Sequence, residues 1–89
     1  MLKLKAEYKR RLAQLEVYEN QIAWYDEEGL EMADQVKRFA EKGYREGEIT
    51  YLEFINGTRQ SLTMRLEYLR ILKAYNMAIL DLQYLLGEF

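Results

Sequence analysis

The feature that most constrains this chain is a three-four spacing of apolar residues that runs through both of its halves with no proline to stop it. In the first half, Leu15, Tyr18, Ile22, Tyr25, Gly29, Met32, Val36 and Phe39 recur at alternating steps of three and four. Such a stripe belongs to an α-helix that wraps a partner with left-handed supercoil. The second half repeats the pattern through Ile55, Leu62, Leu69, Leu72, Ile79 and Leu86, broadened by Phe54, Leu66, Tyr68, Tyr75, Leu80 and Leu82. That face is too wide for a single partner helix. On the outer side of the first arm, Glu7 precedes Arg11, Asp34 precedes Arg38 and Glu41 precedes Arg45, each by four residues. This order of acid and base supports a helix.

Between the arms lies "YREGEITYLEF", Tyr44 to Phe54. Thr50 followed by Glu53 is a capping box, in which the threonine hydroxyl accepts from the Glu53 amide and the glutamate reaches back to the threonine amide. A helix therefore starts near Thr50. Gly43 and Gly47 both suit the left-handed conformation that ends the first helix, and Gly47 is preferred because Tyr44 and Arg45 still follow the helical spacing. The dipeptide Asn56-Gly57 signals a hairpin between strands, but here its flanks have helical spacing. Gly57 thus reads as a close-packing position within the second helix. The expected fold is all-α: one unit over 1–89, with helices over about 3–46 and 50–86 joined by a turn over about 47–49. Each arm should be on the order of 55 to 60 Å long at 1.5 Å per residue. The surplus apolar width of the second arm predicts a homo-oligomer, most simply two hairpins forming a four-helix bundle.

With 89 residues the chain holds at most one domain. Its 49% hydrophobic and 31% charged content is too apolar for disorder and too charged for a membrane span. There is no cysteine or histidine and a single serine, Ser61. A disulfide framework and the usual zinc sites are thereby excluded, and a nucleophile–base pair has no obvious members. The sequence thus reads as non-enzymatic, with no cofactor and no metal site. Glu27, Glu31 and Asp34 share a helical face beside Asp26 and Glu28, a placement open to a hard cation but read here as a solvated face. The four methionines, Met1, Met32, Met64 and Met77, are scattered and read as packing residues. So do most of the eight tyrosines, while Trp24, off the main stripe, suits an interface. Net charge is −2, and the basic cluster Lys3, Lys5, Lys9, Arg10 and Arg11 has no recognition motif behind it. Nucleic acid is not an expected partner. The opening "MLKLKAEYKRR" lacks the apolar core of a secretory signal, so export would require a longer precursor.

The run "YREGEITYLEFINGTRQSL" followed by "LEYLRILKAYNMAILDLQYLLG" resembles the last helical hairpin of the TolC-like outer-membrane efflux proteins. The residues that carry the resemblance are Tyr44, Gly47, Thr50, Leu52 and Glu53, then Gly57, Tyr75 with Asn76, and Leu85-Leu86-Gly87. The first arm is similar in period and length only. The resemblance implies part of an α-helical duct across the periplasm, with the turn as a docking tip for a periplasmic adaptor protein and an inner-membrane efflux pump. The exported solutes implied are metal cations or other small toxic compounds. The tip would comprise Tyr44, Arg45, Gly47, Glu48, Ile49, Thr50 and Tyr51. The family's barrel strands and second hairpin repeat are absent here; similar hairpins occur fused behind heavy-metal pumps of the resistance-nodulation-division type. The alternative reading is a generic helical-hairpin module for oligomerisation or interaction.

Overall fold

A computed structural model describes residues 2–87, with side chains from residue 5 onward. Met1 and the Lys3 side chain, both used in reading the sequence, lie outside the described residues. The chain is an all-α antiparallel hairpin. Its first arm comprises α1 (Leu2–Trp24), a π-helical turn (Tyr25–Gly29) and α2 (Leu30–Arg45), and its second arm is the single helix α3 (Tyr51–Leu85). α1 and α2 both pack along α3, forming a rod of 65 × 19 × 18 Å.

The inner seam of the first arm follows the sequence stripe as far as the π turn and beyond it meets that stripe only at Val36. Leu15, Tyr18, Ile22, Tyr25 and Gly29 are buried or half-buried, but the next residues inward are Ala33, Val36, Ala40 and Gly43. The expected Met32 and Phe39 instead face solvent, at 46% and 73% exposure. The step from Tyr25 through Gly29 to Ala33 is four plus four. Eight residues overshoot two α-helical turns by about 80°, and the wider π turn takes up the extra residue. Gly29 sits beneath its neighbours' rings, where a Cβ would lie 2.7 Å from both Trp24 and Tyr25.

On α3 the inward residues are Phe54, Gly57, Ser61, Met64, Tyr68, Ile71, Tyr75, Ala78 and Leu82, in unbroken three-four alternation. Of the expected stripe, Leu62, Leu69 and Leu86 are exposed, as are Leu66 and Leu80, whereas Ile55, Leu72 and Ile79 are half-buried. Small residues win the interface because they let the two backbones approach. A Cβ on Gly57 would stand 2.8 Å from the Ala40 Cβ, and the Ser61 hydroxyl donates to the Ala33 carbonyl at 2.8 Å. A leucine seam would hold the helices apart and leave that buried hydroxyl without its acceptor.

Polar side chains bridge the edges of the seam. Tyr68 donates to Asp26 at 2.7 Å and Tyr75 to Glu19 at 3.1 Å. Asp34 pairs with Arg65 of α3 and not with Arg38, because its position beside Ala33 brings it within reach of the opposite arm. Glu7 pairs with Arg11 at 3.0 Å and also with Arg10. Glu41 and Arg45 form no ion pair among the described residues; both are exposed, where such a pair contributes little.

Candidate functional site

Two backbone devices back to back make the tip. The first arm ends with Gly47 at φ +73°, the left-handed region that an L side chain enters only with strain. Its N–H donates to the Tyr44 carbonyl at 3.1 Å, and the Glu48 N–H donates to the Gly43 carbonyl at 2.8 Å. Together these are the paired bonds of a Schellman motif. Ile49 then folds back on Gly43, its side-chain carbons 3.3–3.4 Å from where a Gly43 Cβ would be. Three residues after Gly47 the capping box begins α3: the Glu53 N–H donates to Thr50 Oγ1 at 3.1 Å, and the Thr50 N–H donates to the Glu53 carboxylate at 3.0 Å. The backbone N–H of Thr50, and then its hydroxyl, hold the Glu53 carboxyl below its ordinary range. The backbone N–H of every residue from Glu46 to Thr50 is thus bonded within the chain, which fixes the shape of the corner.

Around that corner the side chains fall into two sets. Tyr44 stacks on Phe54, with ring centroids 4.8 Å apart and planes 19° from parallel, and Tyr51 tilts against both. Tyr44 and Tyr51 stay about half exposed, at 45% and 58%. Phe54 belongs to this cluster although the sequence reading assigned it to the helix stripe; the signal was its i,i+3 spacing from Tyr51 on the first turn of α3. The other set is polar. Arg45 and Glu48 are exposed and form no ion pair among the described residues. A shallow groove lies beside them, lined by Phe39, Lys42, Gly43, Glu46, Glu48 and Ile49. Of the seven expected tip residues, the structure joins Tyr44 and Tyr51 through Phe54, uses Gly47, Ile49, Thr50 and the Glu48 backbone to shape the corner, and leaves the Arg45 and Glu48 side chains exposed.

Behind the tip, α3 carries a second apolar seam. Leu52, Ile55, Leu62, Leu66, Leu69 and Leu80 each lie two residues before an inward residue, about 200° around the helix from the hairpin interface. Five of them are 54–68% exposed; Ile55 is half-buried. Arg59 and Lys73 occupy two further positions of the same seam. This surface can cover helices and hold acidic groups. Among the described residues, no group of three or more His, Cys, Asp or Glu side chains could hold a metal ion, and Asp26 and Asp34 of the carboxylate run are bonded to α3. No helix among the described residues is long and apolar enough to cross a membrane.

No family model, curated protein or solved structure matches the chain.

Proposed function

We propose that this chain is a non-catalytic hairpin of a tripartite efflux system, a stave of the periplasmic helical duct whose turn docks a periplasmic adaptor. The observation that carries the reading is a corner whose backbone N–H groups are bonded internally, at the end of a 65 Å rod, with the exposed side chains of Arg45 and Glu48 left over for a partner. A docking tip benefits from such preorganisation, since little ordering entropy is lost when it is captured. The resemblance of Tyr44–Gly87 to TolC-like hairpins supplies the transport context, and the exposed seam of α3 fits a stave that needs neighbours. In that setting the exported solute is a metal cation or another small toxic compound, and the adaptor and inner-membrane pump are the partners.

The seam by itself also supports a second reading, a helical-hairpin interaction module with no transport role, because any helical assembly would cover it. The tip separates the two. Changing Arg45 and Glu48 together to alanine should leave helicity and melting nearly unaltered, as exposed charges contribute only about 0 to 1 kcal/mol. In cells carrying the full assembly, the same change should weaken adaptor capture and lower efflux-dependent resistance. Thr50→Ala serves as the folding control, since loss of the cap costs about 1 kcal/mol. Normal export and unchanged adaptor capture by the double variant would leave the interaction module as the better reading.

A further inference from the structure

The hairpin leaves two apolar surfaces uncovered, and they point in different directions. On the first arm, Val17, Trp24, Met32 and Phe39 are 42–73% exposed. They are spaced seven, eight and seven residues apart, and each immediately precedes an inward residue: Tyr18, Tyr25, Ala33 and Ala40. The π turn inserts its extra residue into both series at once, so the outward residues form one straight stripe along the whole arm. Trp24 lines a groove with Glu67 and Ile71 on one flank of the hairpin. On α3, Leu62 follows the inward Ser61 and lines a groove with Lys37 and Arg65. Residues just before the seam and residues just after it fall on opposite flanks of an antiparallel pair. The first-arm stripe and the α3 seam therefore cannot cover each other within one hairpin.

Charge matches the two surfaces to each other. From Val17 to Phe39 the first arm holds six acids (Glu19, Asp26, Glu27, Glu28, Glu31 and Asp34) against two bases, Lys37 and Arg38. From Leu52 to Leu80, α3 holds four bases, Arg59, Arg65, Arg70 and Lys73, against two acids, Glu53 and Glu67. Internal contacts use Asp34 with Arg65, Glu67 with Arg70, and Asp26 and Glu19 with tyrosines. Among the described residues, Glu27, Glu28 and Glu31 beside the stripe, and Arg59 and Lys73 within the seam, form no ion pair. The area agrees. The chain exposes 7082 Å², whereas a monomer of 10.7 kDa usually exposes about 5,500 Å². The excess is roughly the size of a standard protein interface.

We infer that the occupant of the α3 seam is the first-arm stripe of a second copy of this chain, in a head-to-tail contact. Such a contact is heterologous: each copy offers one surface to the copy before it and the other to the copy after it, giving a closed ring or an open row. The inference deepens the stave reading above but makes no use of Arg45 or Glu48, the side chains that reading assigns to the adaptor, so either can fail alone. It also specifies how the four-helix bundle expected from apolar width is built: pairing α3 with α3 would gather the basic residues of both α3 helices in one interface and leave the acidic first arms outside.

A complementation experiment tests it. The full chain should sediment above monomer mass at tens of micromolar, and less so in high salt. Met32→Lys with Phe39→Lys blocks the stripe; Leu62→Lys with Leu66→Lys blocks the seam. Each variant alone should be monomeric, and an equimolar mixture should double in mass to a 1:1 dimer, because each retains the surface the other lacks. If a lysine variant loses helicity, the exposed charge variants Glu28→Lys with Glu31→Lys and Arg59→Glu with Lys73→Glu take its place, with association of each alone weakened about tenfold or more and restored on mixing. A monomeric parent chain, a mixture that stays monomeric, or a stripe variant that still dimerises by itself would overturn the head-to-tail contact.

Discussion

Replacing Gly57 by alanine tests whether close backbone approach is what selects the hairpin interface. In an exposed helix the change would stabilise, since alanine is favoured over glycine by about 0.8–1 kcal/mol in a helix interior. At this position the new Cβ would lie 2.8 Å from the Ala40 Cβ. That is well inside contact distance, and neither methyl has a rotamer to escape into. The helices must separate locally, straining the Ser61–Ala33 bond one turn away. Overpacking of this kind costs about 1–3 kcal/mol. The net expectation is a destabilisation of up to about 2 kcal/mol, opposite in sign to the propensity effect. Ala40→Gly alone should cost about 1 kcal/mol through propensity. The double variant exchanges the two residues across the interface and restores the space, so it should return close to the parent, with a coupling energy of about 1–3 kcal/mol. Urea unfolding followed by circular dichroism measures all four chains, at one fixed protein concentration because association shifts apparent stability. A Gly57→Ala variant more stable than the parent, or a coupling below about 0.5 kcal/mol, would refute the close-approach argument.

Deleting Glu28 should destabilise the hairpin, because it leaves a three-plus-three step from Ile22 through Tyr25 to Gly29, six residues that fall about 120° short of two α-helical turns; an unchanged or raised melting temperature would show that the seam does not depend on this register. The Tyr68 and Tyr75 phenols are held above their ordinary value, first by donating to Asp26 and Glu19 and then by lost hydration. The folded chain therefore keeps these protons longer than the unfolded chain. Their contribution is complete below the unfolded value of about 10 and lost as pH rises through the folded one. Alkaline titration should consequently lower the melting temperature of the parent more than that of Tyr68→Phe/Tyr75→Phe, and equal losses would refute this. Glu53 runs the other way: its lowered carboxyl contributes above the ordinary carboxylate range, and the contribution should disappear as acid protonates it in the folded chain.

The sequence by itself determined the hairpin and its corner. Long proline-free spacing commits both arms to helix, and the capping box and the left-handed glycine are local devices, formed by residues within a few positions of one another. The all-α class and the antiparallel pairing follow from these alone, since a two-residue excursion between caps leaves the second helix no other direction. Tertiary structure decided which face each helix turns inward. Hydrophobicity favours Met32, Phe39, Leu62 and Leu69 for the interface, and the folded chain instead turns Ala33, Ala40, Gly57 and Ser61 inward. The choice depends on pairs across the seam: an alanine is worth little against water alone, but facing a glycine it brings two whole backbones into contact, with dispersion and a buried hydrogen bond that no single-helix pattern registers. The π turn has the same origin. A one-residue excess between Tyr25 and Ala33 is invisible within one helix and becomes a physical misfit only against the unbroken alternation of α3. It was the partner helix that required the first arm to widen at Tyr25–Gly29, and in doing so aligned its outward residues into a stripe.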